Sequence, residues 1–194
     1  MKVNELNRVL GNVDLFLLDQ ILKGTFDQQM KILDAGCGEG RNLNYFFSHN
    51  YSIYGIDRNP AAIRMLHFVL RSAYPDIDID QFSVGVVESM PYKNEDFDAI
   101  LCQAVLHFAQ DHDHFMAMFS ELHRCLKPNG LMLISCGYRA LGMRGNRNSE
   151  FSFQLDDATI KQLERFFKLQ KSTPAKWTAW ENGPSLIELV FKKL

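Results

Sequence analysis

The sequence predicts an α/β fold with a doubly wound, mainly parallel sheet that carries helices on both of its faces. The first observation is a short apolar run that ends in Asp34 and leads into alternating glycines, directly before a helical pattern over 43–47. The second is that strand-like and helix-like segments alternate from Lys31 onwards, as they do in βαβ units. The third is Asp57, an acid at the end of the next strand, where nucleotide-binding folds of this class place a carboxylate.

Residues 1–29 are predicted to form an N-terminal helical cap. Asn12 can cap a helix, and Gly24 can end it. Apolar residues at helical spacing lie between them, namely Val13, Phe16, Leu17 and Ile21. Such a helix either covers a ligand site or only packs on the sheet, and the sequence leaves both interpretations open.

Residues 30–136 are predicted to form a ligand-binding core of the domain. Its second strand covers 52–57, and Asn59 followed by Pro60 marks the start of the next helix, because Pro is favoured at the first helical position. A third strand is indicated by the apolar residues Ile77, Ile79, Phe82 and Val84.

The later part of the core is predicted to hold two more strands, over 97–103 and 130–136. The helix between them is expected from about Asp113 to Leu126, since Pro128 and the glycine after it stop a helix.

The last part of the chain is predicted to contain a loop over 137–155 and a C-terminal unit over 156–194. That unit consists of a helix near 156–166 and two strand-like runs, about 167–173 and 186–192. No internal repeat and no second domain is indicated, so the 194 residues are expected to form one domain.

The composition is typical of a globular domain and argues against several classes of partner. Hydrophobic residues make up 46% of the chain, which is enough for a core, and the formal net charge is −2. Nucleic-acid binding is not predicted, because a chain that contacts phosphates usually has a basic surplus. A membrane span is not expected, since no run approaches the roughly 20 apolar residues that a spanning helix needs. The apolar run at 15–18 is flanked by acids and does not fit a cleavable signal.

The four cysteines indicate a reducing compartment. Cys37, Cys102, Cys125 and Cys136 show no C-x-x-C pairing and fall in segments with core character. We interpret them as small, reduced core residues of a cytoplasmic protein.

The spacing of the glycine turn discriminates between ligands. A dinucleotide fingerprint is G-x-G-x-x-G, whereas Gly36, Gly38 and Gly40 form G-x-G-x-G with an acid two residues before the first glycine. This form resembles motif I of the class I methyltransferases that use S-adenosylmethionine. It makes a nicotinamide-dependent oxidoreductase a less favoured alternative.

Further segments carry the same resemblance, which covers roughly residues 30–136. The segment 87–92, followed by 97–100, resembles the family's acid-x-x-x-Leu-Pro segment before the fourth strand, and 104–108 and 126–130 resemble its "vLHh" and "LkPGG" stretches. The resemblance implies a seven-stranded sheet whose last strand is antiparallel, formed with the terminal hairpin. The Gly40-Arg41-Asn42 run adds some likeness to small methyltransferases of the tellurite-resistance type.

The resemblance also implies which residues bind the cofactor. The loop would cradle its amino-acid part, Asp34 would hold the loop and approach the ammonium group, and Asp57 would accept from both ribose hydroxyls. Val86 stands where the family usually has an aspartate for the adenine amino group, so that expected acceptor is missing. The predicted cofactor-binding residues are Asp34, Gly36, Cys37, Gly38, Gly40, Asp57, Arg58, Val87, Glu88 and Gln103.

Several of these assignments have an alternative. Arg58 would lie along the adenine, Val87 would use its backbone N–H, and Gln103 would use its backbone near the reactive sulfur. Glu88 either replaces the missing acceptor or is simply solvated. Arg41 either meets the cofactor carboxylate or is a solvated helix residue.

The histidines give weak candidates only. His107 could act as a general base because imidazole titrates near neutrality, but it could equally pack behind the site. His112 and His114 alternate with acids, which favours a polar helix start over a metal site, so no metal is predicted.

The predicted activity is methyl transfer from S-adenosylmethionine to a small-molecule acceptor by in-line displacement. The alternative is a non-catalytic, cofactor-binding or regulatory member of the same fold. The loop after the fifth strand contains Arg139, Arg144 and Arg147 and no acid before Glu150. Because arginine can bind carboxylates and oxyanions with two hydrogen bonds, we hypothesise a lid that favours an anionic acceptor.

Overall fold

The computed structural model describes residues 10–139, 151–178 and 185–194. The glycine turn is followed by a helix of one turn and a half, and longer helices follow the second and fourth strands. The helices in these ranges are α1 (Leu15–Leu22), α2 (Asn44–Ser48), α3 (Pro60–Ala73), α4 (His112–Cys125) and α5 (Asp157–Phe166).

The strands form a single mixed sheet in the order β3-β2-β1-β4-β5-β8, with β6 and β7 both paired to β8. Their bounds are β1 (Lys31–Ala35), β2 (Ser52–Asp57), β3 (Phe82–Val84), β4 (Phe97–Gln103), β5 (Leu126–Tyr138), β6 (Leu169–Lys171), β7 (Lys176–Thr178) and β8 (Ser185–Lys193). The strands from β3 to β5 are parallel, whereas β8 runs antiparallel to β5.

The predicted seven-stranded arrangement is confirmed, except that its outermost position is occupied by two short strands, β6 and β7, instead of one. β6 pairs with the end of β8 and β7 pairs with its beginning, so the two short strands lie along the same edge of β8. They therefore occupy one position in the sheet, and the antiparallel last strand lies beside β5 as expected.

Two apolar clusters confirm that helices cover both faces. On one face, α4 and α5 bury residues such as Phe119 and Leu163 against the sheet. On the other face, α1, α2 and α3 bury residues such as Leu17, Phe46 and Leu66. Alternate residues of β4 belong to alternate clusters, as they must in a parallel sheet with two covered faces.

Several element boundaries differ from the sequence expectation. α1 is capped by Asp14 rather than Asn12, because the Asp14 carboxylate accepts from the N–H groups of Phe16 and Leu17. The expected third strand is shortened to Phe82–Val84, since the residues before it form a turn of 3₁₀ helix, Ile79–Gln81.

The structure also lengthens the fifth strand. β5 begins directly after α4 at Leu126, although Pro128 and Gly130 predicted a break there. The pairing with β4 is irregular at this point, between Phe97 and Ala99, and this irregularity accommodates the turn residues.

The cysteine prediction is confirmed as far as pairing and burial are concerned. All four cysteines are buried and none forms a disulfide. Burial raises the pKa of the Cys136 thiol to about 12 and that of Cys125 to about 11, so these thiols stay protonated at neutral pH. None of the helices in the described ranges has the length and apolar character needed to cross a membrane.

Candidate functional site

A cleft of about 450 Å³ lies at the carboxyl ends of β1, β2 and β4. This is the edge at which open α/β sheets bind ligands. Its lining comes from the turns after these strands, from the segment after β3, and from the first turns of α4. The lining residues are Gly36, Cys37, Gly38, Glu39, Arg41, Asn42, Asp57, Arg58, Asn59, Gly85, Val86, Val87, Glu88, Gln103, Ala104, Val105, Phe108, Gln110, His114 and Met118.

Eight of the ten predicted binding residues lie in this lining, and Asp34 and Gly40 do not. The sequence motifs therefore meet at one place in space. The residues that sequence reasoning missed include Gly85, for which a glycine beside the third strand was a usable signal. Phe108 ends the segment 104–108 that carries the family resemblance, but it was not predicted to line the cleft. Met118 carried no signal in the sequence, because only packing brings its side chain to the cleft.

The glycine turn requires all three glycines, but for different reasons. Each has a positive φ, +87° at Gly36, +55° at Gly38 and +86° at Gly40, a region that side chains disfavour. A Cβ on Gly36 would lie 2.3 Å from Val105, and one on Gly40 would lie 2.7 Å from Leu66. A Cβ on Gly38 would meet nothing within 4 Å, so this glycine faces open space in the cleft.

Asp57 connects the glycine turn to the start of α3. Its Oδ2 accepts from the N–H of Gly38 at 2.8 Å, and its Oδ1 accepts from the N–H of Asn59 at 2.8 Å. A carboxylate has about four acceptor sites, so each oxygen keeps capacity for a further donor from the cleft.

Asp34 lies beneath the glycine turn and is only 2% exposed. Its Oδ2 has no hydrogen-bond partner among the described residues. Burial raises the pKa of this carboxyl group to about 7, Arg41 opposes the rise, and the negative charge of Asp57 adds to it. The site therefore holds a carboxyl group that gains or loses its proton near neutrality.

The end of β4 contains a second unsatisfied group, the side chain of Gln103. It is 5% exposed, it lines the cleft, and neither its Oε1 nor its Nε2 has a partner within the described ranges. The next residue, Ala104, has φ +58°, which is unfavourable for a residue with a side chain. Such strain is concentrated at functional sites, although nothing in the sequence indicated it here.

The segment after β3 supplies an apolar wall with one charged residue. Val86 and Val87 line the cleft, and Glu88 Oε1 lies 3.4 Å from His114 Nε2. His114 Nδ1 accepts from the N–H of Gln110 at 3.1 Å, which leaves the imidazole proton on Nε2, facing Glu88. Glu88 thus lies in the cleft beside His114, a neighbour that the sequence did not indicate.

His107 packs in the protein interior and not in the cleft. It is 2% exposed, it stacks on Phe151 with ring centroids 3.8 Å apart, and it is not part of the cleft lining. Burial lowers its pKa to about 4, so the imidazole is neutral at pH 7. This geometry favours the packing interpretation over a general base.

His112 and His114 lie in the first turn of α4, where the sequence predicted a polar helix start. Asp111 caps α4 by accepting from the N–H of His114 at 2.8 Å. The described residues contain no group of three or more His, Cys, Asp or Glu side chains that could hold a metal ion.

The N-terminal helix is connected to the cleft by Asn42. This side chain lines the cleft, and its Oδ1 accepts from the N–H of Asp14 at 3.0 Å. α1 itself contributes no residue to the lining; it packs on the sheet next to the cleft.

The arginine loop lies largely outside the described residues, which exclude 140–150 and therefore Arg144 and Arg147. Arg139 is described, and its Nη2 lies 3.2 Å from Oδ2 of Asp156.

Comparison with known proteins assigns the chain to a family. A family model described as a methyltransferase domain matches residues 33–134, just over half of the chain. The chain belongs to this methyltransferase family. The match includes the glycine turn, Asp57 and the end of β4.

Curated relatives of this chain are longer proteins. A phthiotriol/phenolphthiotriol dimycocerosates methyltransferase of Mycobacterium leprae is 31% identical over 137 residues, which are 70% of this chain and 46% of that protein. The bifunctional biotin biosynthesis protein BioHC of Saccharophagus degradans is 32% identical over 109 residues, 56% of this chain and 18% of that protein. The chain thus spans less than half the length of these relatives.

Solved structures confirm the Rossmann-like methyltransferase fold. A S-adenosylmethionine-dependent methyltransferase from Methanosarcina mazei superposes with a TM-score of 0.70 at 20% identity, covering 90% of this chain and 97% of that one. TehB from Haemophilus influenzae has a TM-score of 0.70 at 16% identity, covering 94% and 63%. At these identities the likeness concerns the fold alone.

Proposed function

We propose that the chain transfers a methyl group from S-adenosylmethionine to a small-molecule acceptor. The observation that carries the proposal is the carboxylate of Asp57, which faces the cleft while its two oxygens hold Gly38 and Asn59. Two remaining acceptor sites side by side suit the two neighbouring hydroxyls of a ribose. The cleft is not filled by side chains, which favours cofactor binding over a member of the fold that has lost it.

The other lining residues fit the remaining parts of such a cofactor. Gly38 leaves space for close approach, Arg58 and Val86 lie on the side of the cleft next to Asp57, and the N–H of Val87 can donate to a purine ring. Arg41, in the lining, suits a carboxylate group, and Asp34, which lies beneath the glycine turn and outside the lining, suits an ammonium group. The backbone at Gln103 would hold the cofactor near its reactive sulfur, as the family resemblance implies.

The chemistry requires alignment more than acid–base groups. When bound, S-adenosylmethionine supplies a methyl group on a sulfonium, which is already activated for displacement. The chain's own residues then have to hold the acceptor in line and exclude water. We assign no general base, since His107 is neutral, buried and outside the lining.

The proposal is tested by binding and then by turnover. Calorimetry is expected to show one site per chain for S-adenosylhomocysteine, whereas NAD should bind at least a hundredfold more weakly. A screen of acceptors that detects release of S-adenosylhomocysteine would then identify the reaction. Tighter binding of NAD would overturn the proposal in favour of a nicotinamide enzyme, and a cofactor-bound protein without turnover on any acceptor would favour the non-catalytic alternative.

Asp34 is expected to make cofactor binding dependent on pH. A bound ammonium group favours the ionised carboxylate, so binding should release a proton below the raised pKa of about 7. Affinity for S-adenosylhomocysteine should therefore rise by up to about tenfold per pH unit between pH 5 and 7 and level off above it. Calorimetry in buffers of different ionisation enthalpy measures the released proton. The Asp34→Asn variant should show no release, and an unchanged pH profile in that variant would contradict the assignment.

Val86→Asp is expected to strengthen cofactor binding, or at least not to weaken it. The change restores an acceptor at the position where the family usually has one, and a charged hydrogen bond contributes about 1.5–3 kcal/mol. Calorimetry with S-adenosylhomocysteine measures the effect, with Val86→Ala as the matched variant that removes packing without adding an acceptor. A large loss in both variants would mean that Val86 packs against the base and that Glu88 already serves as acceptor.

The acceptor and the location of the protein are further proposals. The hypothesis of an anionic acceptor depended on three arginines, and the one of them that the structure describes is engaged by Asp156. The four unpaired, buried thiols fit a reducing compartment, and we propose the cytoplasm.

A further inference from the structure

A row of polar side chains crosses the sheet from the cleft to its far edge. Gln103 on β4 is in register with Ser135 on β5, Ser135 with Glu188 on β8, and Glu188 with Lys176 on β7. Residues opposite each other on neighbouring strands place their side chains on the same face of the sheet. The four residues therefore form a continuous row at the carboxyl edge of β4 and β5.

The row lies on the face that α1 covers. Lys176 Nζ is 2.8 Å from Oδ2 of Asp19 on α1, and it lies 5.8 Å from the ring centroid of Phe16. This face is otherwise apolar, since it is the face on which Leu101, Leu133 and Val190 are buried. Polar residues at three consecutive strand positions in such surroundings need a reason beyond packing.

Gln103 shows that the cleft end of the row lacks a partner. Its side chain is more than nine-tenths buried, it lines the cleft, and both of its amide atoms are without a hydrogen bond in the part of the chain that the structure describes. An unpaired buried amide is costly in free energy, by about 1–3 kcal/mol. A ligand in the cleft that offers a polar group would remove this cost.

Glu188, the third residue of the row, adds a negative charge opposite Lys176. It is half-buried and makes no ion pair within the described ranges. Lys176, the cation opposite Glu188, is bound by Asp19 at 2.8 Å and only partly offsets the charge of Glu188. Burial raises the pKa of Glu188 above its usual range, and the carboxylate of Asp14 raises it further.

We propose that this row binds the methyl acceptor, with a polar group of the acceptor at Gln103 and a cationic group, such as a protonated amine, at Glu188. The inference rests on the proposed function, since it places the acceptor next to the methyl donor. An acceptor with a cationic group would be disfavoured by the arginines of the loop after β5. It is favoured by the carboxylates of Glu188, Asp14 and Asp19 on the face that α1 covers.

The row also sets the size of the acceptor. Gln103 and Glu188 are two strand spacings apart, which is about 10 Å between backbones. The cationic group therefore anchors the molecule at a distance, and a different atom near Gln103 receives the methyl group. A phenol with a short aminoalkyl chain has this length.

The experiment compares ligands of equal length and opposite charge. With the protein saturated by S-adenosylhomocysteine, calorimetry would measure tyramine against 3-(4-hydroxyphenyl)propionate, and n-hexylamine against heptanoate. At least one amine should bind about tenfold or more tightly than its carboxylate partner. Glu188→Gln should remove that preference while the affinity for S-adenosylhomocysteine stays within about twofold.

Two further variants separate recognition from stability. Glu164→Gln, on α5 at the other face of the sheet, removes a carboxylate that pairs with Lys171 of β6 and should change neither affinity. Asp14→Asn keeps the helix cap, because Asn caps as well as Asp, and should weaken amine binding severalfold. The melting temperature of Glu188→Gln should be equal to or above that of the parent, since a buried, repelled charge is removed.

Three results would overturn the proposal. One is that no amine binds more tightly than its carboxylate partner, including the case in which none binds. Another is that the preference survives in Glu188→Gln. The last is that Glu188→Gln lowers the melting temperature, which would make the carboxylate structural. Loss of S-adenosylhomocysteine binding by the parent protein would instead count against the proposed function.

Discussion

Asp57→Ala is expected to reduce the affinity for S-adenosylhomocysteine by about a hundredfold or more. The carboxylate would accept from two ribose hydroxyls, and each charge-assisted hydrogen bond contributes about 1.5–3 kcal/mol. The same oxygens hold the backbone N–H groups of Gly38 and Asn59, so the variant also loosens the turn that faces the cofactor. Calorimetry on a variant shown to be folded by circular dichroism measures the loss.

Two matched variants make this result specific. Asp57→Asn keeps one acceptor oxygen, so its affinity should lie between those of the parent and the alanine variant. Asp76→Ala removes an exposed acid outside the cleft and should have no effect. Unchanged affinity in a folded Asp57→Ala protein would exclude the ribose assignment and with it the main support for the proposed cofactor.

Gly36→Ala is expected to destabilise the fold by about 2–5 kcal/mol. The new Cβ would lie 2.3 Å from Cγ2 of Val105, and valine has little rotamer freedom to move away. Overpacking of this kind costs about 1–3 kcal/mol, and the positive φ of +87° adds about 1–2 kcal/mol. Because whole domains are stable by about 5–15 kcal/mol, urea unfolding should show the change clearly.

Variants at two other glycines separate the cost of the positive φ from the cost of the contact with Val105. Gly24→Ala, at φ +69°, and Gly38→Ala, at φ +55°, add a Cβ that meets nothing within 4 Å, so each should cost only about 1–2 kcal/mol. Gly38→Ala should in addition weaken cofactor binding, since its Cβ enters the cleft, whereas Gly24→Ala should not. Equal destabilisation in all three variants would show that φ alone matters and that the contact with Val105 is relaxed at little cost.

The motifs near the glycine turn were predictable because each is local. The turn, the acid that ends β2 and the Asn59-Pro60 helix start are fixed by short-range geometry, and all three lie as expected. The boundaries of β3 and β5 were not, since pairing with neighbouring strands decided where a strand begins. Likewise the cap of α1 moved from Asn12 to Asp14, because two N–H groups lie within reach of the latter side chain.

The sequence by itself determined the fold class, the family resemblance and the residues expected at the cofactor, since these depend on periodicity and on the spacing of glycines and acids. Only the tertiary structure decided which side chains meet across strands. The row from Gln103 to Glu188 joins three strands that are distant in sequence, and its chemistry follows from register and burial. The same holds for His107, which the sequence left between base and packing residue. Its burial against Phe151, a contact between distant residues, places it outside the cleft.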